Sequence, residues 1–392
     1  SSVDERLALL GRILGLLEAR AELFAQALVT EMGAAIGFAR ASEVPFAIAH
    51  VRVQMEVLRD FAFLSQEAGM ATAKEPIGVC ALITPWNWPL YQITAKVAPA
   101  IAAGCTVVLK PSELSPYSAQ LFAQVMHDAG VPAGVFNLVG GTGEVVGAAL
   151  AAHPDVDMIS ITGSTRAGVL VAQAAAVSVK RVVQELGGKS PNLFLDDADF
   201  EQGVAKGVLA GMRNVGQSCS APTRMLVPAS RLAEVEALAA AAVAGIQVGD
   251  PNDERTTMGP IANAAQFERV QTMIAAGIED GQRLFDALHA VHRFLHDRVE
   301  ILHAQAGPVE TDAGELGDVV RRDRTRIQLD REVHPLRRKE AELAPQFGHA
   351  IGELGGRQEV RRAAAEVQLG DRASALEQRR HARDLAVQVI QV

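Results

Sequence analysis

Residues 3 to about 31 place Leu7, Leu10, Ile13, Leu14, Leu17, Phe24, Ala27 and Leu28 at steps of three and four, the spacing of one face of an amphipathic helix. Ser2-Val3-Asp4-Glu5 at its head matches a capping box, in which serine and glutamate satisfy the first free backbone N–H groups. A second helix is expected over 43–65. From Pro76 the texture changes. Short apolar runs at 77–84, 106–109, 135–139, 158–162 and 181–185 alternate with helical stretches at 91–103, 115–129, 143–152 and 165–176. Short apolar strands separated by helices predict a parallel sheet covered on both faces. That is an α/β, Rossmann-type doubly wound domain, whose ligands bind at the carboxyl ends of the strands. After Gly187-Gly188 a second unit is expected, with a helix over 199–212, a loop holding Cys219, a strand over 224–227, and helices over 230–245 and 264–280.

Composition changes this picture at one place. From Leu284 on, the last 109 residues hold sixteen Arg against one Lys and seven of the ten His, but no Met, Cys, Trp, Tyr or Asn. Neither strand–helix alternation nor a turn-bounded strand is read there. The tail is expected to be disordered or to be encoded in a shifted or inverted frame, which genomic resequencing across the junction decides. Its histidines are not read as a metal site. Over the whole chain of 392 residues, 49% are apolar, enough to bury a sizeable core. The net charge of −9 argues against a nucleic-acid or anionic-membrane partner. No apolar run in the sequence reaches the ~20 residues of a membrane span. The start, Ser1 to Arg6, puts charges first with no apolar stretch and cleavage site behind them, so it is not read as a signal peptide. Cys80, Cys105 and Cys219 are too few and too odd for a disulfide framework, and a reducing, cytoplasmic setting is expected.

Six motifs carry chemistry; five follow or end an expected strand, and the sixth lies on the loop between an expected helix and strand. In Thr84-Pro85-Trp86-Asn87-Trp88-Pro89, the Asn87 amide fixed at a strand end can stabilise an oxyanion; the other reading is a packed Pro/Trp turn. In Lys110-Pro111-Ser112-Glu113, lysine and carboxylate can each bond a ribose hydroxyl. An acidic residue there disfavours a 2′-phosphate and leans toward NAD over NADP; the other reading is a solvated turn. Gly140 to Gly147 carries glycines at 141, 143 and 147, not the G-x-G-x-x-G spacing, and a lone glycine cluster is weak evidence. Gly163 and Ser164, opening a helix, suit a phosphate through free N–H groups and the helix dipole, or form an ordinary N-cap. In Glu185-Leu186-Gly187-Gly188-Lys189, a carboxylate ending an apolar strand loses hydration, which pushes a carboxyl toward its neutral form and suits a general base; the other reading is a glutamate facing water. Last, Gly216-Gln217-Ser218-Cys219 puts a thiol on a small-residue loop. A reactive cysteine needs its thiolate, hence a nearby base or positive dipole. Cys80 lies inside a strand and Cys105 beside one, so both read as core residues.

Together and in this order the six motifs resemble the NAD(P)-dependent aldehyde dehydrogenase superfamily over about residues 1–283. Glu-Leu-Gly-Gly-Lys and Gly-Gln-x-Cys are the most specific. The resemblance implies that Cys219 attacks an aldehyde carbonyl to form a thiohemiacetal, while Asn87 and the Cys219 backbone N–H hold the oxyanion. Hydride then passes to the nicotinamide, and Glu185 activates water to hydrolyse the thioester. It implies cofactor contacts from Thr84, Pro85, Trp86, Lys110, Glu113, Gly143, Gly147, Gly163, Ser164 and Leu186. NAD is the expected cofactor, NADP the second choice, with no metal. It also implies a small-molecule aldehyde as substrate and a homodimer or homotetramer. Residues 1–186 would form the dinucleotide-binding domain with its N-terminal helices, 187–283 a partial catalytic domain, and 284–392 the atypical tail. Departures are plain. The family normally begins some tens of residues earlier, the segment 65–74 is short for its oligomerisation hairpin, and no Glu-Ile-Phe-Gly-Pro motif follows residue 284. Rival readings are a semialdehyde-specific or CoA-acylating member, against which Glu185 argues, a non-catalytic remnant that at most binds a dinucleotide, and a Rossmann reductase that ignores Cys219. Met212 and Ser218 flank the expected channel and do not choose an aldehyde.

Overall fold

The structure is a computed structural model, and it describes residues 1–279 and 387–391. The tail expected over 284–392 therefore lies outside the described residues, save for one strand, Val387–Gln391.

The N-terminal stripe forms two helices rather than one, α1 (Val3–Ala19) and α2 (Ala21–Met32). Ser2 caps α1 as a capping box, its hydroxyl accepting from the Glu5 N–H at 3.1 Å. The break falls at Arg20, which leaves helical geometry at φ −109°. Periodicity could not find it, because the apolar stripe runs on through both helices to Leu17 and Phe24, each fully buried. At the break the Arg20 guanidinium pairs with Asp128, more than a hundred residues away. The second expected helix also starts earlier and stops sooner. A short α3 (Ile36–Phe38) runs through a π-helical turn (Ala39–Glu43) into α4 (Val44–Asp60).

Where the sequence pattern suggests only a short segment, a hairpin stands: β1 (Leu64–Glu67) pairs antiparallel with β2 (Met70–Ala73). Its residues are almost all exposed, so no alternation of apolar and polar positions marks it.

The central sheet has five parallel strands: β3 (Val79–Ile83), β4 (Thr106–Lys110), β5 (Phe136–Leu138), β6 (Met158–Gly163) and β7 (Arg181–Leu186). Their order is β5-β4-β3-β6-β7. The order reverses between β3 and β6, the switch point at which such sheets bind ligands. Helix α5 (Pro89–Ala103) and α6 (Pro116–Asp128) join α1, α2 and α4 in the core on one face. On the other face α7 (Ala148–Ala152) and α8 (Thr165–Ala176) pack over Ala81, Ile83, Ile159 and Ile161. Gly104 ends α5 in a left-handed turn at φ 89°, a conformation that costs glycine nothing.

Beyond β7 a separate apolar core gathers Phe194, Phe200, Val204, Val208, Met225 and Val227. It is built from β8 (Pro191–Leu193), α9 (Phe200–Met212), β9 (Arg224–Pro228) and α10 (Leu232–Ala244), with α11 (Ala264–Glu279) following. β9 is flanked by β8, parallel, and by β10 (Val387–Gln391), antiparallel. That last strand corrects the expectation that the tail holds none; a five-residue stretch without flanking turn residues gave no signal. No helix among the described residues is long and apolar enough to cross a membrane.

Two carboxylates sit inside the helical layer. Glu43 is fully buried and neither of its carboxylate oxygens has a hydrogen-bond partner. Burial, then the neighbouring charge of Glu31, holds its pKa well above the carboxylate range. Burial likewise pushes Glu31 up to about 7, against hydrogen bonds from Ser118 and the Tyr117 N–H. Both groups bind protons more tightly folded than unfolded, so their stabilisation is complete below pH 4.5 and is lost as pH rises, for Glu31 through about 7. Urea denaturation should therefore give a stability lower at pH 8 than at pH 5.5, by on the order of 2 kcal/mol. Glu31→Gln should reduce that difference, leaving the share of Glu43, and an unchanged slope would take Glu31 out of the effect.

Candidate active site

The loop after β3 and the loop after α9 are locked together side by side. The Asn87 amide donates to the Gln217 carbonyl at 2.6 Å, and the Asn214 amide returns a bond to the Asn87 carbonyl at 2.7 Å. The Trp88 indole N–H donates to the Ser218 hydroxyl at 2.9 Å. Gln217 is itself fixed at both ends of its amide, donating to the Asn214 carbonyl and accepting from the Ala262 N–H. The chain enters the Cys219 loop under strain, since Asn214, Val215 and Gly216 are all left-handed, at φ 55°, 60° and 70°. For a β-branched residue such as Val215 that conformation is costly, and strain of this kind persists only where surrounding contacts enforce it.

Of the three cysteines, Cys80 and Cys105 are buried and Cys219 is half-buried. Cys219 opens on a cavity of about 900 Å³ that also takes in Glu185, Lys96, Trp88 and Tyr91. The structure thus brings the sequence-derived nucleophile and base to one cavity, with Asn87 bonded to the nucleophile's own loop. It corrects the environment expected for Glu185, whose side chain is exposed. Among the described residues β7 is an edge strand of its sheet, with β6 as its one neighbour, and residues 181–185 are open to solvent apart from half-buried Val182. The carboxylate keeps its water, and the loss of hydration read from the apolar run is not there.

Gly188 brings the Glu185 and Cys219 segments into contact. A Cβ at that position would lie 2.8 Å from the Cys219 carbonyl oxygen, whereas one at Gly187 would meet nothing within 4 Å. Backbone at that distance must move. We expect Gly188→Ala to lower kcat about 100-fold, the usual penalty for a misplacement of about 1 Å at a reacting group, with Gly187→Ala within about twofold of the parent. Steady-state rates of the two variants check this, and equal rates would separate Gly188 from the nucleophile's placement.

The remaining candidates ring the carboxyl ends of the strands. Thr84 is buried with its hydroxyl unpartnered, and Pro85 and Trp86 are half-buried. Lys110 is buried and its ammonium lies 3.0 Å from the Glu113 carboxylate, which is half exposed. Burial opposes ionisation of Glu113, but its own backbone N–H and Lys110 outweigh burial and keep its pKa below the ordinary value. Gly143 and Gly147 bound a π-helical turn, Gly143 exposed and Gly147 buried. Gly163 ends β6, and Ser164 caps α8 by accepting from the Ala167 N–H at 3.2 Å. Leu186 ends β7 half-buried. No set of three or more His, Cys, Asp or Glu converges as a metal site among the described residues.

Sequence reasoning missed Lys96. It sits on the buried side of α5 and donates to the Ser160 hydroxyl at 2.8 Å. Burial pulls its pKa down to about 8, while the charge of Glu185 acts the other way. A lysine among Ile93, Thr94 and Val97, all buried, is the signal that was present.

The match to known proteins follows this geometry. The model of the aldehyde dehydrogenase family matches residues 1–291. The chain belongs to the aldehyde dehydrogenase family. Over 285 residues it is 52% identical to a 3-succinoylsemialdehyde-pyridine dehydrogenase of a Pseudomonas species, covering 72% of this chain and 60% of that relative. Its fold superimposes on aldehyde dehydrogenase C of Pseudomonas syringae, solved as a cysteine-to-alanine variant with NAD+ and octanal. That match has a TM-score of 0.71 and 67% identity over 72% of this chain and 58% of the other. An aldehyde dehydrogenase of Bacillus cereus in complex with NAD+ gives 0.70 at 33% identity, over 72% and 58%. This aldehyde dehydrogenase chain thus spans about 60% of the length of the curated relatives it matches. The six motifs all lie inside the matched segment.

Proposed function

We propose that this chain oxidises an aldehyde to the carboxylic acid with NAD+, through a covalent intermediate on Cys219. The observation that carries the reading is the meeting of Cys219 and Glu185 on one cavity, beside an Asn87 amide tied to the nucleophile loop. The carboxyl ends of β3, β4 and β6 fit a dinucleotide. Thr84 leaves a buried hydroxyl without a partner, Lys110 offers an ammonium, and the first turn of α8 offers free N–H groups to a phosphate. When bound, NAD+ accepts the hydride from the substrate carbon.

The Cys219 thiolate adds to the aldehyde carbonyl. The negative charge that develops on oxygen needs preset donors, and two are at hand. Asn87 has two amide hydrogens and commits one to Gln217, which leaves the second, together with the Cys219 N–H. Once the carbon is at the oxidation level of a thioester, Glu185 takes a proton from water as that water attacks. The acid leaves and the thiol is regenerated. An exposed carboxylate is in contact with the water this step requires.

Two of the three relatives point to an aldehyde with an apolar body: octanal is bound in one structure, and the other's name prints a pyridine semialdehyde. Trp88 and Tyr91 on the cavity wall suit such a body. The test is NADH formation by the purified chain with a panel that includes octanal and an aryl semialdehyde, with the acid product measured. Stoichiometric acid and NADH support the reading; no turnover with any member removes it. CoA-dependent turnover in its place would favour the acylating reading.

A further inference from the structure

We propose that Trp88 is a positioning residue whose indole N–H, through the Ser218 hydroxyl, sets the peptide N–H of Cys219 that faces the developing oxyanion. The proposal rests on the covalent reading above. The peptide unit that carries the Cys219 N–H begins at Ser218, so fixing Ser218 fixes the direction of that N–H. Ser218 is held at two points: its hydroxyl accepts from Trp88 at 2.9 Å, and its carbonyl accepts from the Ala221 N–H at 3.3 Å.

Trp88 is in turn a rigid anchor. Its ring meets Phe38 edge-on at 5.5 Å and lies 5.8 Å from Tyr91 and 6.5 Å from Phe46. An indole N–H can only donate, and it finds its acceptor on the nucleophile loop, 130 residues along the chain. The neighbouring residue, Asn87, is the other oxyanion donor and bonds the same loop through Gln217. One tight turn therefore places both donors, Asn87 by carrying it and the Cys219 N–H by holding its peptide.

Trp88→Phe removes the bond and keeps the aromatic packing. Ser218→Ala removes it from the other side without touching the aromatic cluster. Each should lower kcat for aldehyde oxidation about fivefold, the share of one neutral hydrogen bond. The double variant should be no slower than either single one. A cofactor-free readout separates this proposal from the reading it rests on. The Cys219 thiolate attacks p-nitrophenyl acetate, forms an acyl thioester and expels nitrophenolate, and this acylation uses the same oxyanion donors. The acylation burst should slow by the same factor in both variants. Equal bursts in parent and variants, or additive losses in the double variant, overturn the positioning role and leave the dehydrogenase reading intact. A normal burst slowed by both variants, in a chain that oxidises no aldehyde, supports the positioning role and sinks the dehydrogenase reading. A parent without any Cys219-dependent burst overturns both.

Discussion

Replacing Cys219 by alanine should lower aldehyde-dependent NADH formation by about 10⁴-fold or more, the scale on which removal of a covalent nucleophile acts. The geometry makes the effect specific. Cys80 and Cys105 are buried in and beside the central sheet, whereas Cys219 is half-buried on the strained loop that opens on the cavity. Iodoacetamide should accordingly alkylate Cys219 well before the other two, with protection by an aldehyde substrate. Mass spectrometry of the modified peptides, beside steady-state rates of Cys219→Ala, checks both parts. Full activity in the variant would favour a reductase that passes hydride without covalent attachment.

Glu185→Gln should separate the two halves of the reaction. The hydrolytic step loses its base and should slow by about 10²–10³-fold, the range of general-base contributions. Thiol attack and hydride loss do not need that proton acceptor once the thiolate is formed. A rapid burst of one NADH per site should precede a slow steady rate, with the acyl group retained on Cys219 and visible as added mass. Hydroxylamine, a better nucleophile than water that needs less help from a base, should restore turnover. The exposure of Glu185 sharpens the test, because a hydrated carboxylate cannot owe its role to desolvation and must act by placement. A steady rate equal to that of the parent would remove Glu185 from the mechanism.

Much of the candidate site is legible in the amino-acid sequence. Glu185, Asn87 and Lys110 each sit in a short motif at an expected strand end and Cys219 on a small-residue loop between an expected helix and strand, and local pattern is enough to find such positions. The helix over 165–176 and the five parallel strands follow from apolar runs bounded by turn residues. Residues whose task is to face other parts of the chain are not legible. Lys96 reads as one more helix residue, and only the packing of α5 sets it against Ser160 and within reach of the charge of Glu185. Trp88 gives no hint of its bond to Ser218.

By itself the sequence determined the alternating elements, the doubly wound class, the candidates for nucleophile and base, and the capping box of α1. All of these rest on periodicity or on contacts within a few residues. Tertiary structure alone decided the rest. It set the strand order and thus the switch point, the break at Arg20, and the β1–β2 hairpin, whose exposed strands carry no pattern. It left Glu185 in water on an edge strand. It also tied two loops together across 127 and 130 residues through Asn87, Trp88 and Asn214. Contacts at such separations depend on how whole elements pack, and no local spacing along the chain encodes them.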